Sequence, residues 1–170
     1  MKPLLACLLL LAATLAAASS PPGLPGAERW HLLGQGEMRW FGLRLYQASL
    51  WSGAESFALE QPFALTLTYA RSIPSARIVE ASMDELRRLG TNDEAKLARW
   101  RAWMEQAFPD VREGDSITGV SLPAGRVQFW SAGRLRADIP DADFARAFFA
   151  IWLDPRTREP ALRARLLGLP

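Results

Sequence analysis

Between Leu33 and Trp51 the side chains sort into two sets when read with a period of two. Met38, Trp40, Gly42, Arg44, Tyr46, Ala48 and Leu50 fall on one side, and Arg39, Phe41, Leu43, Leu45, Gln47, Ser49 and Trp51 on the other. Both sides are apolar enough to be mostly covered, and each keeps a few polar groups. That is the pattern of a strand beside a pocket. It predicts a short strand over Arg29–Leu33, a turn at Gly34-x-Gly36 and one long strand from Glu37 to Trp51. Phe63 to Ala70 sets Phe63, Leu65, Leu67 and Tyr69 against Ala64, Thr66, Thr68 and Ala70, the alternation of a half-buried strand.

The period then becomes helical. Ser72 with Pro74 marks a helix start, Ile78, Ser82, Glu85, Leu86 and Leu89 fall near one face, and Gly90 supplies the stop. Thr91 or Asn92 is the expected cap of a second helix reaching Phe108, striped by Leu97, Trp100, Met104 and Phe108. After Gly114-Asp115 come SITGVSLP, GRVQFW, a Ser131-Ala132-Gly133 turn and RLRADI, which read as an antiparallel meander. Asp141 or Asp143 caps an apolar helix carrying Phe144, Phe148, Ile151 and Trp152, and a short helix over Pro160–Leu167 closes at Gly168. The grouping predicts an α+β fold, an antiparallel sheet covered on one side by helices.

The first residues change the picture by subtracting themselves from the fold. Lys2, the apolar run Leu4–Leu15 and Ala16-Ala17-Ala18 form an export signal over residues 1–18, cut before Ser19. The run is too short and too poorly flanked for a membrane-spanning helix. Residues 19–26, SSPPGLPG, read as a flexible linker, and 27–170 as one domain. The expected location is periplasmic or secreted. Cys7 is the only cysteine, so the processed chain has neither a disulfide nor a thiol nucleophile.

Without Lys2, 19 basic residues stand against 18 acidic ones, a net charge of about +1. The cations are dispersed among acids, apart from Arg156, Arg158, Arg163 and Arg165. Nucleic-acid binding needs a basic stripe, and none is visible. His31 is the only histidine, which disfavours zinc and, without a G-x-S-x-G context, a serine triad. Gly34-x-Gly36 lacks the rest of a dinucleotide fingerprint, so no cofactor and no metal is expected.

Three blocks, in order, carry a family resemblance: GQGEMRWFGLRLYQASLW, LTLTYARSIPSARIVEASMDEL and FFAIWLDPRTREPALRARLLG, with FPDVREGDSITGVSLP between the last two. Together they resemble the chalcone isomerase-like family, in its exported bacterial rather than its plant branch. The resemblance implies an open-faced sandwich of sheet and helices. In the plant enzymes it implies an intramolecular conjugate addition organised by an arginine, a lysine, a tyrosine, an asparagine and threonines. Carried over one at a time, the arginine of the first strand falls at Met38, with Arg39 beside it on the opposite face. The lysine falls at Tyr69, the helix tyrosine at Ile78, the asparagine at Glu85, the late threonine at Ile151 and the early one at Tyr46.

Losing one preorganised oxyanion donor costs roughly 10²–10³ in rate, and here the whole set is replaced. Binding is more forgiving. Each buried methylene contributes about 0.8 kcal/mol, so a dozen contribute about 10 kcal/mol gross, against about 1.5–3 kcal/mol for one charged hydrogen bond. The expected function is therefore non-catalytic binding of a fatty acid or similar amphipathic molecule, with no catalytic residue assigned.

The candidate ligand-binding residues are Tyr46, Tyr69, Arg71, Arg39 and Trp40. Arg71 suits a carboxylate beside a helix N-terminus; the plainer alternative is an ion pair with Glu80, Asp84 or Glu85. Tyr46 and Tyr69 are also ordinary polar-tipped core aromatics, and Arg44 is expected at a sheet edge. Two further readings stay open: an isomerase or lyase acting through Tyr46, Tyr69 and Arg71, and a protein-interaction module with a closed core and no cavity.

Overall fold

The computed structural model describes residues 20–22, 24–28 and 30–169; the expected export signal lies outside them. Six strands form one antiparallel sheet in sequence order: β1 His31–Trp40, β2 Leu43–Ser52, β3 Phe63–Tyr69, β4 Ser116–Leu122, β5 Arg126–Ser131 and β6 Arg134–Ile139. Helices α1 Ser75–Arg88 and α2 Glu94–Ala107 bridge β3 and β4, and α3 Ala142–Leu153 and α4 Pro160–Leu167 follow β6. The expected α+β architecture, an antiparallel sheet with helices on one side, is the one observed.

The N-terminal region differs from the expectation. Glu37–Trp51 is not one strand but the second part of β1, a two-residue turn at Phe41-Gly42, and β2. Both turn residues have positive φ, 47° at Phe41 and 78° at Gly42, as tight hairpin turns require. Asn or Gly normally announces the first of these positions. A phenylalanine there carries no such signal, so the alternation runs through the fold-back unbroken.

Gly34-x-Gly36 is correspondingly not a turn. Both glycines lie inside β1 under α4, where a Cβ on Gly34 would collide with the carbonyl of Arg165. One on Gly36 would stand 2.7 Å from Leu162 Cδ1. They are the notch that lets the last helix rest on the strand.

From Tyr46 onward the alternation holds across the sheet. Tyr46, Ala48 and Leu50 pair with Tyr69, Leu67 and Leu65, and the rows continue through Ile117 and Gly119 to Phe129. This face meets the helices in the main core. The opposite face holds Gln47, Ser49, Thr66 and Thr118, with a hydroxyl–hydroxyl bond of 3.0 Å between Thr66 and Thr118. A small apolar cluster of Trp51, Ala64 and Val120 also lies there. Leu24 and Trp30 pack against that cluster.

The helix caps refine the sequence reading. α1 begins after Pro74, and its first amide, that of Ser75, donates to Asp110 Oδ1 at 2.7 Å, a cap supplied from 35 residues away. Asp93, not Thr91 or Asn92, caps α2 by accepting from the Lys96 amide. Asp141 caps α3 in the same way through the Phe144 amide.

Candidate functional site

A cavity of about 650 Å³ lies between the sheet and the helices. Its floor is the helix-facing row of the strands: Tyr46, Leu65, Leu67, Tyr69, Ile117, Gly119 and Phe129. Ile78 and Ser82 of α1, with Phe148, Ile151 and Trp152 of α3, form the roof. Exposed Arg77, Ala81, Asp84 and Arg158 also line it, so the space reaches the surface there, beside Trp40. Gly119 widens the floor: a Cβ on it would approach the rings of Phe129 and Phe149 to 3.3 Å.

The size of this space is informative. As a sealed void it would cost about 16 kcal/mol at ~24 cal/mol per Å³, as much as the whole ~5–15 kcal/mol stability of an ordinary domain. The space is not sealed but opens to solvent at its mouth, and an apolar guest that displaced water from its lining would gain the free energy of burial.

The interior is largely apolar; its polar groups are hydroxyls and the Trp152 indole N–H, with the carboxylates of Asp84, Glu85 and Glu159 toward the rim. The Tyr46 hydroxyl accepts from Trp152 Nε1 at 3.1 Å, and the Tyr46 and Tyr69 rings meet edge to face with centroids 6.0 Å apart. The Tyr69 hydroxyl has no hydrogen-bond partner among the described residues, whereas Ser82 donates to the Ile78 carbonyl at 2.9 Å. Burial pushes the Tyr46 phenol up to about 12, with the charges of Glu159 and Glu85 adding to it. Burial likewise raises Tyr69, and the neighbouring Tyr46 reinforces the shift. Both phenols stay protonated at neutral pH. They are donors rather than bases.

The rim is tied together by ions. Glu85 is held by Arg88 at 2.6 Å and Arg158 at 2.9 Å, and Arg88 also donates to the Arg156 carbonyl at 2.9 Å. These bonds pin the α3–α4 connection to α1. Inside that connection the Thr157 hydroxyl donates to the Ile151 carbonyl at 2.8 Å. Arg77, in the first turn of α1, forms no ion pair among the described residues and lines the mouth.

Of the five ligand-binding candidates, the structure brings Tyr46, Tyr69 and Trp40 to the cavity. It does not bring Arg71 or Arg39. Arg71 is exposed, and Glu80 and Glu85, two of its expected ion partners, are taken by Arg101 and by Arg88 and Arg158. Arg39 points away and binds Glu37 at 2.7 Å, with Arg44 on the other carboxylate oxygen at 3.1 Å. Arg77, Ser82, Trp152 and Arg158 line the cavity beyond the five candidates. Ser82 had a usable signal, four residues after Ile78 on the same helix face. Arg158 had none beyond its basic neighbours.

Met38, Tyr46, Tyr69, Ile78, Glu85 and Ile151 are the six positions onto which the plant enzymes' polar groups were carried, and all six line this one cavity. The closed core expected of a pure interaction module is not what the structure contains.

Comparison with known proteins agrees with the architecture. A fatty-acid binding protein of Arabidopsis thaliana superposes with a TM-score of 0.65 at 10% sequence identity, covering 88% of this chain and 89% of that one. At that identity the likeness speaks for the fold. An uncharacterized protein of Haemophilus influenzae is 28% identical over 140 residues, spanning 82% of this chain and 68% of its own length. A family model described as chalcone isomerase-like matches residues 25–168, and the chain therefore belongs to the chalcone isomerase-like family.

Proposed function

We propose that this chain is an exported, non-catalytic binding protein for a fatty acid or a similar single-chain amphipath. The observation that carries the proposal is the chemistry of the six carried-over positions. They line the cavity, yet three of them, Met38, Ile78 and Ile151, are now hydrocarbon or thioether. An apolar tail would lie over Leu65, Leu67, Ile117 and Phe129. Its polar head would accept from the hydroxyls of Tyr46 and Tyr69, with Arg77 at the mouth. The fold shared with a fatty-acid binding protein supports this reading.

The isomerase or lyase alternative is less well supported. It needs Arg71 beside the tyrosines, and Arg71 is not among the lining residues. The two phenols it would act through are held protonated by burial, so neither serves as its base at neutral pH.

The test is calorimetric titration of delipidated protein with saturated fatty acids, beside mass spectrometry of lipid that co-purifies. Heat of binding is expected in the unaltered chain and loss of it in Ala81→Trp, which lays an indole across the mouth from an exposed helix position. No heat and no co-purified lipid would remove the proposal.

A further inference from the structure

Three large apolar side chains stand in water within four residues of one another, at the tip of the β1–β2 hairpin. Trp40 is 58% exposed, Phe41 89% and Leu43 54%. The other large exposed hydrophobics, such as Leu59 and Leu135, are scattered along the chain. Phe41 sits at φ 47°, a left-handed conformation that a bulky side chain adopts at a cost and that Asn or Gly would fill with ease. The turn thus spends strain to display a ring that packs only edge-on against Trp40, at 5.1 Å between centroids.

The tip is also braced. Arg39 joins Glu37 to the Gly42 carbonyl at 3.2 Å, and Arg44 binds Glu37 from the second strand. Two guanidinium groups against one carboxylate leave a positive collar just behind the apolar apex.

We infer that this hairpin tip is a membrane-docking wedge, inserting Trp40, Phe41 and Leu43 into the interfacial layer of an anionic bilayer. A protein partner is the weaker fit. A stable protein interface covers about 800 Å² on each side, whereas a two-residue turn is a narrow, convex point. Interfacial insertion asks for what the tip has: a short apolar apex with arginines at headgroup depth. Position argues the same way. Trp40 both projects from the tip and lines the cavity, so docking would bring the mouth to the surface from which an amphipath is extracted. That purpose rests on the proposed ligand; the docking itself does not.

The experiment is co-sedimentation of the purified protein, in the form its host produces, with vesicles of phosphatidylethanolamine and phosphatidylglycerol. Phe41→Asn combined with Leu43→Asn is expected to lower partitioning about tenfold or more, the consequence of removing two apolar side chains from the buried apex. Neither residue lines the cavity, so calorimetric binding of a soluble short-chain fatty acid should be unchanged, which separates this inference from the proposed ligand. Asn suits the positive φ at 41 and is mildly unfavourable at the strand end at 43, so the melting temperature should change little. Phe41→Trp alone, which keeps a large apolar ring at the apex, should leave partitioning intact. Replacing phosphatidylglycerol by phosphatidylcholine should weaken it about fivefold, for the one net positive charge of the collar. Equal sedimentation of the unaltered and double-Asn proteins would overturn the inference. So would absence of vesicle binding together with a self-association that the double-Asn protein loses.

Discussion

Helix α3 has two ends with different lives. At its N-terminal end Phe144 is fully buried, ringed by Trp100 at 5.5 Å, Trp103 at 5.7 Å, Phe148 at 5.7 Å and Phe129 at 6.2 Å. At its C-terminal end Ile151 and Trp152 stand over open space, and the indole spends its one donor on the Tyr46 hydroxyl. One end is filled by aromatic packing from α2 and the sheet. The other is left unfilled and is held apart by a hydrogen bond and a ring of ion pairs. The same helix therefore supplies stability through contact at one end and lines the cavity at the other. Close packing is the default for a protein interior, so the departure at one end marks where the ligand is expected.

The largest effect should come from breaking the packed end. Phe144→Ala is expected to cost about 3–5 kcal/mol of unfolding free energy, measured by urea denaturation, with the cavity end relaxing little. A loss below about 1 kcal/mol would mean that this end is no better packed than the other. A smaller effect belongs to the open end at high pH. The fold favours the neutral phenol of Tyr46, whose pKa is raised from about 10 to about 12. Its contribution is complete below pH ~10 and is lost as pH rises through 12, about 3 kcal/mol in all. Denaturation followed across that window should show stability falling, and Tyr46→Phe should remove its share of the fall.

The finest contrast lies between the two tyrosines. Tyr46→Phe strands the Trp152 N–H and should cost about 1–3 kcal/mol. Tyr69→Phe removes a hydroxyl with no partner among the described residues and should leave stability within about 0.5 kcal/mol. Both should weaken ligand binding several-fold, read by the same calorimetry, because one net hydrogen bond is worth about 1 kcal/mol. Equal stability losses would show that Tyr69 has a structural partner after all.

Much of this was readable from residue order. The alternation in Phe63–Tyr69, the stripes of α2 and α3 and the glycine stops are local signals, and local signals survive without coordinates. The failures share a cause. Phe41 takes a backbone conformation its identity does not advertise. Gly34 and Gly36 are small because α4 arrives from 130 residues later, not because the chain turns. Asp110 caps a helix that starts 35 residues before it. Each is a tertiary cause of a local choice. In the site, Tyr46 and Tyr69 could be chosen because strand parity fixes their face. Arg71 could not be excluded, because nothing in the sequence says which acids its neighbours have already taken.

One position in the cavity floor has a consequence for which molecules fit. Gly119 presents bare backbone where its neighbours present side chains, and the rings of Phe129 and Phe149 close over it, so that a Cβ there would meet both at 3.3 Å. A side chain added there must push those rings aside, toward the space that a linear guest of the proposed kind would use. If the proposed amphipath lies along this floor, alanine at 119 should trim the longest tail accepted, and valine should trim it further.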